Sequence, residues 1–222
     1  MNLLRRYIRS LLIEATIPDV HPESIIFCDM DGVLVDFDTA TVSLINSHLD
    51  EGELTDQGKT YRKTLRRIQR EMGPDWRAKN RSDLDIKPVR NFMFAVISQN
   101  PGDFFGSLPP LPDGVNQLWP YLNSTGRVVK LLTAGVPGKP EAPTSEEGKR
   151  MWAMQLDPSP QEVILKPAKQ KAEHAVLDGV PNILIDDKVS TIQSWNDAGG
   201  IGIPHIPGGS SATIARLQEL GL

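Results

Sequence analysis

Apolar residues in this chain fall in short runs separated by amphipathic stretches. Residues 24–28 (SIIFC) form the first such run, rich in branched side chains and followed by a turn at Asp31-Gly32. That is the pattern of a buried strand ending in a loop. A helix is expected at 38–50. From residue 113 the rhythm is regular. Helices are expected at 113–123, 145–156, 168–178, 189–198 and 210–220, and between them lie strands at 127–132, 162–165, 182–185 and 201–203. Strands alternating with helices imply βαβ units and a parallel sheet covered on both faces. Ligands of such sheets bind beyond the carboxyl ends of the strands.

Two stretches depart from this rhythm. In residues 3–15, Leu4, Ile8, Leu11 and Leu12 share one helical face, opposite Arg5, Arg6 and Arg9, so an amphipathic helix is expected there. It would dock on the core or, alternatively, on a protein partner. Residues 51–100 carry Lys59, Arg62, Lys63, Arg66, Arg67 and Arg70, and few long apolar runs. This part is expected to be an inserted helical cap. The resulting division is an N-terminal helical arm at 1–22, a catalytic core at 23–50 and 101–222, and a cap at 51–100.

Composition narrows the function classes. The 222 residues carry 24 basic and 28 acidic side chains, a net charge of -4. A protein dedicated to duplex binding would be basic, so nucleic acid is not favoured as a partner. One cysteine, Cys28, allows no internal disulfide, which suits a reducing, cytoplasmic setting. No run approaches the ~20 apolar residues of a membrane helix. The apolar stretch 11–13 is too short for a signal peptide, so no export is expected.

The chemistry concentrates where strands end. Asp29 and Asp31 follow the first apolar run, and Asp186-Asp187 follow the run at 182–185. Gathering that much negative charge is costly without a cation, and a dense set of oxygen ligands suits Mg2+. Both strand ends serve one metal site if the two strands are close in the sheet.

These residues also carry a resemblance. Phe27-Cys28-Asp29-Met30-Asp31-Gly32-Val33-Leu34 resembles the first motif of the haloacid dehalogenase (HAD) superfamily. Leu131-Leu132-Thr133-Ala134 resembles the second, and Ile183-Leu184-Ile185-Asp186-Asp187 the fourth. The third motif is a lysine near a helix start. Lys166, Lys169 and Lys171 compete for it, with Lys171 and Lys169 favoured. Within the superfamily the chain is similar to the 5'(3')-deoxyribonucleotidases, a 5'-nucleotidase family. That similarity rests on 29–37, on Gly102-Asp103-Phe104-Phe105 with 108–114, on Gly148-Lys149-Arg150-Met151-Trp152, and on 184–188.

The resemblance implies a three-layer α/β sandwich with a parallel central sheet and a small helical cap inserted after the first strand. It implies Asp29 as nucleophile, forming an aspartyl-phosphate, and Asp31 as general acid and then base. Mg2+ would be held by Asp29, the Asp31 main-chain carbonyl and Asp186, with Asp187 behind them. Thr133, Ala134 and the lysine would bind the phosphoryl oxygens. Phe37 and Phe105, with Phe104 and Trp76, are candidates for lining an apolar slot, core packing being the alternative. The expected function is a Mg2+-dependent phosphatase acting on small phosphate monoesters, foremost (deoxy)nucleoside monophosphates. Alternatives are a polynucleotide end phosphatase and a catalytically silent scaffold that keeps the fold. A homodimer is left open.

Overall fold

The computed structural model describes residues 20–51 and 56–222, with residues 51 and 56–62 described by backbone alone. The helix expected at 3–15 lies outside the described residues.

The strands are β1 Ile26–Cys28, β2 Val129–Thr133, β3 Val163–Leu165, β4 Val176–Leu177, β5 Val180–Pro181, β6 Ile183–Asp186 and β7 Ile201–Pro204. Five of them form a wholly parallel sheet in the order β3-β2-β1-β6-β7. The central strand β1 pairs with β2 on one side and β6 on the other, with Cys28 opposite both Leu131 and Ile185. The two acid-bearing strands are therefore neighbours, and their carboxyl ends meet at one edge.

Alternation along the strands sorts side chains to the two faces. Ile26, Cys28, Val129, Leu131, Ile183 and Ile185 enter the larger core. Phe27, Leu132 and Leu184 enter a smaller one closed by Ile192 and Trp195. β1 is fully buried over its three residues, as a central parallel strand covered on both faces should be.

The helices are α1 Phe37–Glu51, α2 Asp56–Met72, α3 Arg81–Leu84, α4 Lys87–Ile97, α5 Pro101–Gly106, α6 Trp119–Ser124, α7 Ser145–Ala153, α8 Val189–Asp197 and α9 Ser210–Glu219. Between β1 and β2, α1 to α4 pack on one another and bury Ile45, Leu49, Leu65, Ile68, Val89 and Phe92. α5 then returns to the sheet and lies against α7. A Cβ on Gly148 would come within 2.2 Å of the Gly102 carbonyl oxygen. Only glycine lets these backbones approach so closely, and that approach sets where Lys149 enters. No helix among the described residues is long and apolar enough to cross a membrane.

Two expected helices differ in form. The stretch expected at 113–123 contains a π-helical turn, Gly114–Leu118, running into α6. Pro120 has no N–H and crowds the carbonyl one turn back, and the wider turn accommodates it. The helix expected at 168–178 is a 3-10 helix, Ala168–His174, followed by the β4–β5 hairpin. Asp178 and Gly179, at φ 50° and 80°, make its turn. Asp-Gly is a strong short-range hairpin signal, and here it overrides the helical pattern.

Candidate active site

Asp29 is the first residue past β1, and its N–H donates to the Ile185 carbonyl at 2.9 Å, continuing the ladder. That bond fixes the backbone, so the side chain projects beyond the sheet edge. One carboxylate oxygen of Asp29 accepts from the Met30 N–H at 2.7 Å. Asp186 ends β6, and its Oδ1 accepts from the Lys188 N–H at 2.8 Å. Between these two carboxylates stands the ammonium of Lys171, 2.8 Å from Asp29 Oδ2 and 2.7 Å from Asp186 Oδ2. The Lys171 side chain is 2% exposed. Lys169, on the same 3-10 helix, is exposed, and Lys166 pairs with Glu173 at 3.1 Å. Of the three lysines considered, only Lys171 enters the carboxylate cluster.

The sequence reading gave no role to Lys149. α7 delivers its ammonium to 2.7 Å from Asp31 Oδ2 and 2.8 Å from Thr133 Oγ1, with the side chain fully buried. Thr133 ends β2 and is itself fully buried. Asp31 Oδ1 is buried with no hydrogen-bond partner among the described residues. Two buried lysines thus each tie together polar groups brought from different strand ends.

Gly32 is left-handed at φ +77°, and a Cβ there would sit 2.7 Å from Asp187 Oδ2. Asp187 is held from the other side by Arg81 of α3, at 3.6 Å, and Arg81 also meets Asp38 at 2.9 Å. A helix of the insertion is therefore latched to the acidic end of β6.

These contacts separate the carboxyls electrostatically. Burial pushes Asp29 up, but Lys171 and Lys149 outweigh it and hold the group below its ordinary value. Burial raises Asp31, and Asp29 adds to this against the pull of Lys149. Burial and the Asp29 charge raise Asp186 to about 7 and Asp187 to about 6. Burial, and then Asp29, push the Cys28 thiol well up, so it is no nucleophile near neutrality.

The donor set fits a hard cation. One carboxylate oxygen from each of Asp29, Asp186 and Asp187 lies within 4.8 Å of the others. With the orphaned Asp31 Oδ1 nearby, four acids face two buried ammonium groups and one guanidinium at the rim. Burial first, and then the charge of Asp29, raises Asp186 and Asp187, a cost that a divalent ion relieves.

That cost predicts a pH signature in metal-free protein. A carboxyl raised to about 7 makes the folded state bind more protons than the unfolded one, so stability falls as pH rises through that value. His174 and His205, both lowered mainly by burial, act oppositely while the unfolded chain loses their protons around pH 6.5, and they do so with and without metal. Between pH 6.5 and 8, Asp186 contributes a fall of about 1 kcal/mol, or ~2–4 °C in melting temperature, against a rise from the histidines that metal leaves unchanged. Millimolar Mg2+ should remove that fall. Thermal melts at both pH values with EDTA and with Mg2+ check this; a rise in melting temperature on adding Mg2+ that is no larger at pH 8 than at pH 6.5 would contradict it.

The cluster opens into an inner recess of about 220 Å³, lined among others by Asp29, Asp31, Phe105, Ala134 and Lys171. Beyond it lies an outer chamber of about 740 Å³. Phe37, Arg81, Phe94, Asp187 and Lys188 line both. Of the aromatic candidates, Phe37 is shared between the two spaces, Phe105 forms the inner wall, and Trp76 packs against the larger core.

No family model matches this chain, and no curated protein matches it. Solved structures do. A haloacid dehalogenase-like family hydrolase from Xanthomonas campestris aligns over 89% of this chain and 91% of its own, with a TM-score of 0.51 at 12% identity. This chain has the haloacid dehalogenase-like fold. A hydrolase from Streptococcus pneumoniae TIGR4 aligns over 91% of this chain and all of its own, at a TM-score of 0.47 and 12% identity. The magnesium-bound HAD-hydrolase YfnB from Bacillus subtilis aligns over 83% and 90%, at 0.45 and 15%. At such identities the likeness is one of fold. In this HAD-like fold the carboxyl edge of the sheet, between β2, β1 and β6, is where the acids and the buried lysines converge.

Proposed function

We propose that this chain is a Mg2+-dependent phosphomonoester hydrolase working through an aspartyl-phosphate on Asp29, with nucleoside monophosphates as its substrates. The observation that carries the reading is the pairing of two buried lysines with three strand-end carboxylates: Lys171 with Asp29 and Asp186, and Lys149 with Asp31. A structural role alone would not call for this arrangement, since buried ion pairs are weak stabilisers compared with apolar packing.

Asp29, kept ionised by Lys171 and Lys149, attacks phosphorus while the bond to the leaving oxygen breaks. Asp31, raised by burial, gives its proton to that oxygen. A water then attacks the phosphoryl group, Asp31 takes its proton, and the Asp29–phosphorus bond breaks to release phosphate. Two neighbouring carboxyls pushed in opposite directions suit these two roles. Asp29, Asp186 and Asp187, with the Asp31 main-chain carbonyl, would hold Mg2+, which neutralises charge on the phosphoryl oxygens. Thr133, Lys149 and Lys171 present a hydroxyl and two ammonium groups to those oxygens. The leaving group extends past Phe37 and Phe94 into the outer chamber, where aromatic faces suit a planar base.

The test is phosphate release from nucleoside monophosphates, sugar phosphates and 5'- or 3'-phosphorylated oligonucleotides, with Mg2+ and with EDTA. Release from mononucleotides that EDTA abolishes is the expected result. Release from oligonucleotide ends alone would replace the mononucleotide by a strand terminus, and release from none would overturn the reading.

A further inference from the structure

The outer chamber contains polar groups that the phosphoryl-transfer chemistry does not use. Arg90 of α4 and Lys188, just past the paired acids, both line it, and neither side chain has an ion pair or hydrogen bond among the described residues. Arg81, by contrast, is engaged with Asp38 and Asp187. The third unused group is His205, 2% exposed and part of the chamber wall. Its Nδ1 lies 2.8 Å from Thr213 Oγ1, while its Nε2 is buried with no partner among the described residues. A buried polar nitrogen left unpaired is costly, and natural proteins keep few of them. The nitrogen lies just behind the chamber surface, and a small turn of the ring towards a bound group would satisfy it.

We propose that the outer chamber is a leaving-group subsite selecting substrates whose leaving group carries a second anionic group, received by Arg90 and Lys188 with His205 Nε2 donating from the wall. The chemistry follows from the lining. Asp38 and Asp187 on the chamber wall are offset by Arg81, and Arg90 and Lys188 outnumber the remaining acid, Asp85; with Phe37 and Phe94 they favour an anion joined to an apolar or planar body. In the tautomer whose Nδ1 accepts from the Thr213 hydroxyl, the imidazole carries its proton on Nε2 and offers it to an anionic oxygen. The second anion lies outward of the transferred phosphoryl group, because Lys188 and Phe37 border both spaces whereas Arg90 and His205 border the outer one. A nucleoside 3',5'-bisphosphate has this form, so the subsite narrows the nucleotide substrates proposed above to those with a second phosphate; the matching 5'-monophosphate lacks it.

The inference rests on the proposed phosphatase reading for its biological meaning, but binding tests it independently. Asp29→Asn protein with Mg2+ is titrated by calorimetry with a nucleoside 5'-monophosphate and with the corresponding 3',5'-bisphosphate. The bisphosphate is expected to bind at least tenfold more tightly. In Arg90→Gln/Lys188→Gln on the same background the ratio should fall towards one, and His205→Phe should lower it in part. Equal affinities, or a preference untouched by the double substitution, would overturn the subsite. Hydrolysis of p-nitrophenyl phosphate by the unmodified protein reports separately on the phosphatase reading. Its absence would sink that reading and leave the binding ratio still decisive for the subsite.

Discussion

Asp29→Asn should lower Mg2+-dependent phosphate release by on the order of 10⁴-fold or more while leaving the fold intact, the loss expected when a covalent nucleophile is removed. The substitution is isosteric and keeps an acceptor for the Met30 N–H, which Asp29 holds at 2.7 Å. Lys171 keeps its contact with Asp186 at 2.7 Å. The Asp29 charge is, after burial, the main influence raising Asp186 and Asp187. Removing it relaxes the remaining acids, so metal-free Asp29→Asn should melt no lower than the unmodified protein. Loss of activity without loss of stability is the signature of a residue kept for chemistry at a cost in stability. Phosphate release assays and thermal melts on the same preparations check both halves. Activity within tenfold of the unmodified protein would remove Asp29 from the role of nucleophile.

The strand-end acids were legible because two regularities coincide at them. A buried central strand in a parallel sheet is a short apolar run, and both Ile26–Cys28 and Ile183–Asp186 end directly in carboxylates. Their adjacency was not legible, since strand order depends on crossovers that local pattern does not report. The β4–β5 hairpin is hidden for a different reason: residues 168–178 have a helical spacing of apolar positions that runs up to the Asp178-Gly179 turn. Arg81 and His205 could not be placed from sequence, because one acts across the insertion and the other only by lining a cavity made by several elements. Lys149 left a trace that could have been followed. On α7 the residues Ser145, Gly148, Lys149, Trp152 and Ala153 are buried, at the spacing of a single helical face. A lysine between a glycine and a tryptophan on the inward face is a charge in the core. Such a charge persists only with partners.

Those partners make Lys149 the second residue whose removal should be severe. In Lys149→Met the length and most of the volume remain, but the only donor to Asp31 Oδ2 among the described residues is lost, as is a donor to Thr133 Oγ1. Asp31 Oδ1 already has no partner, so both oxygens of that carboxylate would be left unpaired beside Asp29. Breaking a buried pair on one side costs about 3–5 kcal/mol, which predicts a fall in melting temperature of roughly 6–20 °C for a chain of this size. Activity, assayed below the new melting temperature, should fall on the order of 10²–10³-fold. That is the range for losing a single preorganised group that stabilises developing charge. Thr133→Val isolates one arm of the contact. It removes the hydroxyl but leaves Lys149 facing Asp31, so its loss should be smaller, and the double variant should lose little beyond Lys149→Met alone. Such non-additivity marks groups acting through one another, and a lysine that merely filled space would not produce it. Near-normal kcat/KM in a folded Lys149→Met would return this lysine to packing. It would also leave Lys171 as the one ammonium that the chemistry requires.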